Sequence, residues 1–195
     1  AAPADAGSIS VPAPAPDTRG GLINYSLTDD ASGRFQIDAV SGAVSIGPNS
    51  ASIDYESAPG HKYSIIVQAS DGNGGTSSQS FSIDVADAAP SVPVDNVAPT
   101  GGTVAEGDTA GTAVGITAFS SDVNGGGVIY SLSASAGGLF QINALTGVVS
   151  ISAAGATGID YESTPGNSYS ITVVASDGTL SSNQSFAIAV TNAPP

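Results

Sequence analysis

A chain of 195 residues with a formal net charge of −14 and only three basic side chains, Arg19, Arg34 and Lys62, cannot make the phosphate contacts that nucleic acid requires. Binding to anionic membrane surfaces is excluded for the same reason, unless a divalent cation bridges. Hydrophobic residues make up 41%, enough to build a core, and the abundance of Gly, Pro, Ser and Thr points to an all-β chain of short strands and many turns. With no cysteine there are neither disulfides nor thiolate chemistry, and no apolar run is long enough for a membrane span. The absence of methionine points to a processed or partial chain.

From the N-terminus, strands are expected near residues 7–12, 22–28, 34–38 and 42–46. A block Ile53-Asp54-Tyr55-Glu56-Ser57 follows, with Pro59-Gly60 as a turn behind it. Tyr63, Ile65, Val67 and Ala69 then alternate inward. Asp71-Gly72 turns the chain, and Phe81, Ile83 and Val85 form a second inward row. Asp87 to Pro99, with Pro90, Pro93 and Pro99, reads as a stiff, extended linker. Beyond it an additional strand is expected at Thr103-Val104-Ala105-Glu106, then strands near 111–118, 127–133, 139–143 and 147–151. The acidic block returns as Ile159-Asp160-Tyr161-Glu162-Ser163, followed by the rows Tyr169, Ile171, Val173, Ala175 and Phe186, Ile188, Val190.

The chain repeats itself at an offset of about 105 residues. Tyr25-Ser26-Leu27 recurs as Tyr130-Ser131-Leu132, Phe35-Gln36-Ile37 as Phe140-Gln141-Ile142, and Gln79-Ser80-Phe81 as Gln184-Ser185-Phe186. The expected architecture is two tandem β-sandwiches. The first repeat covers residues 1–90, a Pro-rich acidic linker 91–99, and the second repeat 100–195. By the repeat offset Glu106 falls on Ala1, so the first repeat is expected to lack its initial strand.

The acids carry the chemistry. The three glutamates are Glu56, Glu106 and Glu162, two of them in the repeated block. In a strand, residues i and i+2 share a face, so Asp54 and Glu56 are expected to point the same way, as are Asp160 and Glu162. Carboxylates so placed repel unless a positive charge lies between them. From Asp87 onward there is no Lys or Arg, so a cation is the natural partner. Asp29, Asp30, Asp38 and Asp108 read instead as turn residues serving the backbone. His61 reads as a solvated loop residue, and Tyr55 and Tyr161 as packing residues.

The order of these motifs resembles the cadherin repeat, most closely its bacterial and dystroglycan-type cadherin-like relatives. A Glu follows an early strand (Glu106), and a Tyr-Ser-Leu strand precedes Phe-x-Ile-x-x-x-x-Gly-x-Val. An Asp-x-Glu block, an Ala-x-Asp-Gly turn and an acidic linker containing proline complete the series. The resemblance implies seven-stranded Greek-key sandwiches stacked end to end, with Ca²⁺ at the junction. It implies junction ligands Asp54 and Glu56 from the first repeat, Asp87, Asp95 and Asn96 from the linker, and Asp122, Asn124 and Asp177 from the second repeat. A further half-site would use Glu106, Asp160, Glu162 and Asn192. The sequence departs from the family in its padded linker and in having no Glu at the position matching Glu106 in the first repeat, which implies one or two ions at the junction rather than three.

The function so implied is a calcium-binding, extracellular, cell-surface segment that serves adhesion as a stiffened rod. It is not an enzyme. Its partners would be other copies of itself or adjoining repeats, with no nucleic acid and no membrane insertion. The alternatives are a carbohydrate-binding matrix module with surface polysaccharide as its partner, which needs an exposed aromatic platform, and a subunit of a surface filament or layer assembled by strand pairing.

Overall fold

The computed structural model describes residues 22–97, 101–123 and 126–193. The chain is all-β and divides between Ala86 and Asp87 into two compact units. The strand expected at 7–12 and the expected lack of an initial strand fall on residues 1–21, outside the described residues.

Unit 1 contains β1 (Asn24–Asp29), β2 (Phe35–Ile37), β3 (Val44–Ile46), β4 (Lys62–Ser70) and β5 (Thr76–Asp84). The alternation in β4 buries Ile65, Val67 and Ala69 on one face, and β4 is the middle strand of the sheet β1-β4-β5. Ile65 lies opposite Phe81 and Tyr63 opposite Ile83, so the inward rows meet across the antiparallel pair. With Phe35 and Val44 from the β2–β3 hairpin they enclose a core of Phe35, Val44, Ile65, Val67 and Ile83. Each such side chain contributes about 1.5–3 kcal/mol by leaving water.

The hairpin is built by its own sequence. Asp38 Oδ1 accepts the amides of Val40 and Ser41 at 3.0 and 2.7 Å. Gly42 then takes φ +73°, where a Cβ would also crowd the Tyr25 ring at 3.3 Å. In unit 2 Asn143 receives Leu145 and Thr146 in the same way, each at 3.0 Å.

Unit 2 contains β6 (Val94–Asp95), β7 (Gly102–Ala105), β8 (Ala113–Phe119), β9 (Ile129–Ala134), β10 (Phe140–Ile142), β11 (Val148–Ile151), β12 (Ser168–Ser176) and β13 (Ser181–Thr191). One sheet runs β10-β11-β8-β6 and the other β7-β13-β12-β9. Val114, Ile116, Val149 and Ile151 from the first meet Ile171, Val173, Ile188 and Val190 from the second in one buried cluster, which makes the unit a sandwich. All pairings are antiparallel except β7 with β13, which is parallel.

Residues 91–97 differ from the spacer expected of them. Val94–Asp95 pairs with Phe119 and Ala118 at the edge of a unit 2 sheet. Ser91 ties in as well, donating its amide to the Ser121 carbonyl at 2.9 Å and accepting on its own carbonyl from Ser182 Oγ at 2.8 Å. Proline stiffens this stretch without freeing it, because the backbone groups between the prolines still find partners on both sheets.

Candidate metal centre

The Asp-Tyr-Glu blocks lie on turns rather than on a strand face, which corrects the i, i+2 expectation. Asp54 Oδ1 accepts the amides of Glu56 (2.9 Å) and Ser57 (3.3 Å), and Asp160 Oδ1 those of Glu162 (2.9 Å) and Ser163 (3.2 Å). A short carboxylate that reaches amides two and three residues ahead closes a turn and leaves no room for extended backbone. These bonds hold both aspartates below the ordinary carboxylate value. For Asp54 the hydrogen bond with the Ser57 side chain is the main cause, and for Asp160 the Ser163 amide.

Each turn is fixed to the strand that follows it. The Tyr63 hydroxyl lies 3.4 Å from the Asp54 amide and donates to the Ser52 carbonyl at 3.2 Å. In unit 2 the buried Thr164 hydroxyl bonds the Asp160 carbonyl and stands 2.8 Å from Tyr169 Oη. The sequence alone does not mark Thr164 and Tyr169 as supports. The available signal was a hydroxyl at a position where the first copy has Ala58, followed by a tyrosine opening an inward row.

In unit 2 the parallel pairing of β7 with β13 carries Glu106 to the same end of the sandwich. Its amide donates to the Thr191 carbonyl at 3.1 Å, and Asp108 Oδ2 holds the turn by accepting the Ala105 amide at 2.9 Å. Glu106 Oε2 accepts the Tyr161 amide and Oε1 the Ala193 amide, both at 3.0 Å. Asn192 Nδ2 donates to Glu162 Oε1 at 3.2 Å. Carboxylate oxygens of Glu106, Asp160 and Glu162 thus lie within 4.8 Å of one another, with Asn192 alongside.

At that separation each pair of like charges costs about 1 kcal/mol in water and more where water is partly excluded. Unit 2 has no Lys, Arg or His to offset it. Calcium–oxygen distances of 2.3–2.6 Å place opposite ligands about 4.6–5.2 Å apart, so one ion of that size can touch all three carboxylates. Each oxygen of Glu106 spends one hydrogen bond on the backbone and keeps a lone pair. The donor set is all oxygen and acidic, which suits a hard divalent cation and not a thiolate- or imidazole-seeking metal.

A second acidic place in unit 2 involves Asp177, in the β12–β13 turn. Its Oδ1 accepts the amides of Thr179 and Leu180, both at 2.7 Å, with Thr179 the main cause of its lowered pKa. Its Oδ2 is buried without a hydrogen-bond partner, and a carboxylate oxygen of Asp122 lies within 4.8 Å. Both carboxylate oxygens of Asp87 are likewise buried and unbonded. Buried oxygens left without donors are costly unless something positive reaches them.

Asp95 holds the backbone of its own unit. Oδ1 accepts the Thr117 and Val97 amides at 3.1 and 3.2 Å, and Oδ2 the Gly101 amide at 2.9 Å, so its carboxylate ties the segment before β7 to β8. Asn96 and Asp122 line the same groove, together with Phe119, Tyr130 and Leu145. Asn124 lies outside the described residues. In unit 1 Asp54 is half-buried and Glu56 exposed on their turn. Asp29, Asp30, Asp38 and Asp108 each accept backbone amides, as turn aspartates do.

Among the described Phe and Tyr residues, Phe119 is the one that is exposed, at 50%. No helix among the described residues is long and apolar enough to cross a membrane.

No family model and no curated protein matches the chain. Solved structures do. Drosophila N-cadherin EC1-3 is 24% identical, with 91% of this chain and 57% of that chain covered and a TM-score of 0.44. Mouse cadherin-23 EC22-24 is 25% identical, with 88% and 53% covered and a TM-score of 0.47. Human protocadherin-24 EC1-2 is 17% identical, with 92% and 86% covered and a TM-score of 0.49. The chain spans about half the length of the first two.

Proposed function

We propose that the chain is an extracellular cadherin-like segment that binds calcium and serves adhesion mechanically, without catalysis. The observation that carries the reading is the gathering of Glu106, Asp160 and Glu162 within 4.8 Å in a unit without a basic side chain. Three properties meet there: a charge that needs neutralising, a spacing that suits calcium, and a turn that presents the oxygens. Asn192 completes this set. Asp87, Asp122 and Asp177 are the second set of donors in unit 2, and Asp54 and Glu56 are the donors of unit 1, alike in turn geometry to Asp160 and Glu162.

Bound calcium supplies positive charge to carboxylates that otherwise repel, and so stiffens the loops that carry them. A stiffened segment of this kind spaces or presents a binding surface, and its partners are adjoining repeats or further copies of the chain.

Calcium titration by calorimetry tests the reading. The wild-type chain is expected to bind with a dissociation constant on the order of 10⁻⁴ to 10⁻³ M or somewhat tighter. Glu106→Gln with Glu162→Gln keeps shape while removing two charges, and should abolish one binding event while leaving any other in place. A wild-type chain that shows no calcium heat and no change in melting temperature with chelator would leave the acids as solubilising charge.

A further inference from the structure

The two copies of the acidic turn are held by different means. In unit 2 the Tyr161 amide is gripped by Glu106. In unit 1 the imidazole of His61 lies flat on the Tyr55 ring, with centroids 3.9 Å apart and planes 8° from parallel. Its Nδ1 is 2.9 Å from the Tyr55 carbonyl oxygen. A carbonyl only accepts, so Nδ1 carries the hydrogen.

The peptide unit joining Tyr55 to Glu56 is therefore pinned at both ends. Its carbonyl is held by His61, and its N–H donates to Asp54 Oδ1 at 2.9 Å. Rotation of that peptide would swing the Glu56 backbone away from Asp54, and two opposed hydrogen bonds block it. The ring contact adds an aromatic surface that fixes where the imidazole sits. His61 itself is anchored: its amide donates to the Ala58 carbonyl and its carbonyl accepts the Val85 amide, each at 2.9 Å, with φ at +58°. Asn167, its counterpart, adopts φ +49° and offers no ring to stack on Tyr161.

We propose that His61 is the positioning residue of the first acidic turn, clamping Tyr55 so that Asp54 and Glu56 keep one relative orientation. The proposal rests on the calcium reading for what the turn is positioned to hold. The clamp itself rests on geometry alone.

The test is amide hydrogen exchange by NMR on the full chain, first in chelator and then across a calcium titration, for wild type, His61→Asn and Tyr55→Phe. Asparagine already occupies the matching position with the same sign of φ, so the first variant is expected to fold. In chelator, exchange at the Glu56 amide should accelerate about tenfold in His61→Asn, the effect of one lost hydrogen bond of ordinary strength. Tyr55→Phe, which keeps the ring and the carbonyl, should match wild type, and Glu162 should not change in either variant. With calcium, the shift of the Glu56 amide should need about tenfold more ion in His61→Asn. Unchanged Glu56 exchange in His61→Asn overturns the clamp whether or not calcium binds, as does faster exchange spread over β4 and β5. Locally faster exchange in a protein whose Glu56 amide never responds to calcium supports the clamp and sinks the calcium reading instead.

Discussion

Units 1 and 2 share the Asp-Tyr-Glu turn almost atom for atom yet surround it differently. In both, the aspartate accepts the amides two and three residues ahead. Among its described residues, unit 1 has two positive charges beside this turn, Arg34 and Lys62. Arg34 stacks 4.7 Å over the Tyr63 ring and donates to the Ser52 and Ala31 carbonyls, while Lys62 pairs with Asp84. Unit 2 has no basic residue and adds a third carboxylate, Glu106, brought in by β7 from 55 positions away from the amide it holds. Local sequence sets the shape of the turn, whereas the number of charges gathered around it depends on which distant strand arrives.

The largest difference to test is in the cores. Ile65 and Ile171 occupy the same place in the repeat and are both fully buried. Ile65→Ala and Ile171→Ala should each cost about 2–5 kcal/mol, and each should lower only the calorimetric transition of its own unit. A single transition that moves as one in both variants would show that the units do not unfold independently.

Calcium should separate the units next. At a free concentration about a hundred times the dissociation constant, a bound ion stabilises the native state by about 2.7 kcal/mol. Chelator should lower the unit 2 transition, and Glu106→Gln should shrink that drop by the share its own site contributes. If Glu106→Gln responds as wild type does, the third carboxylate is not a ligand.

Acid gives a smaller effect, shared by both units. Asp54, Asp160 and Asp177 have folded pKa values below their ordinary ones. Their contribution is therefore present above the unfolded value of about 3.9 and is lost as pH falls through the folded values. In chelator, melting temperature should hold steady at neutral pH and drop below about pH 4, and Asp160→Asn should flatten the drop in unit 2 alone. The smallest effect belongs to the 2.7 Å Lys62–Asp84 pair, whose side chains are both exposed. Lys62→Ala should change stability by less than about 1 kcal/mol, and less still in high salt.

Much of this was legible in the sequence. The inward rows of β4, β5, β12 and β13 follow from period-two alternation, because one face of each strand is buried. Glu106, Asp160, Glu162 and Asn192, expected as one half-site from the family resemblance, stand together. The role of Asp95 was not legible, since the Thr117 and Gly101 amides it captures are exposed to it only after β6 pairs with β8. Nor was the ring of His61 on Tyr55, because a stack six residues apart needs the turn at Gly60, φ +62°, to be known first.

The parallel pairing of β7 with β13 has a mechanical meaning. The strands run the same way, so a pull that enters unit 2 through the start of β7 and leaves through the end of β13 draws them in opposite directions along their length. Ile188 opposite Gly102, Ala189 opposite Thr103, Val190 opposite Val104 and Thr191 opposite Ala105 then carry the load side by side, in shear. Bonds loaded in this way must yield together, whereas a hairpin pulled open at its ends gives up one pair at a time. Before the pull reaches β7 it must also strip β6 from β8 and free Ser91 from Ser121 and Ser182. A pull in that direction would load the β7–β13 pairing in shear, and a cation that locked Glu106 to Asp160 and Glu162 would sit at the end of β7.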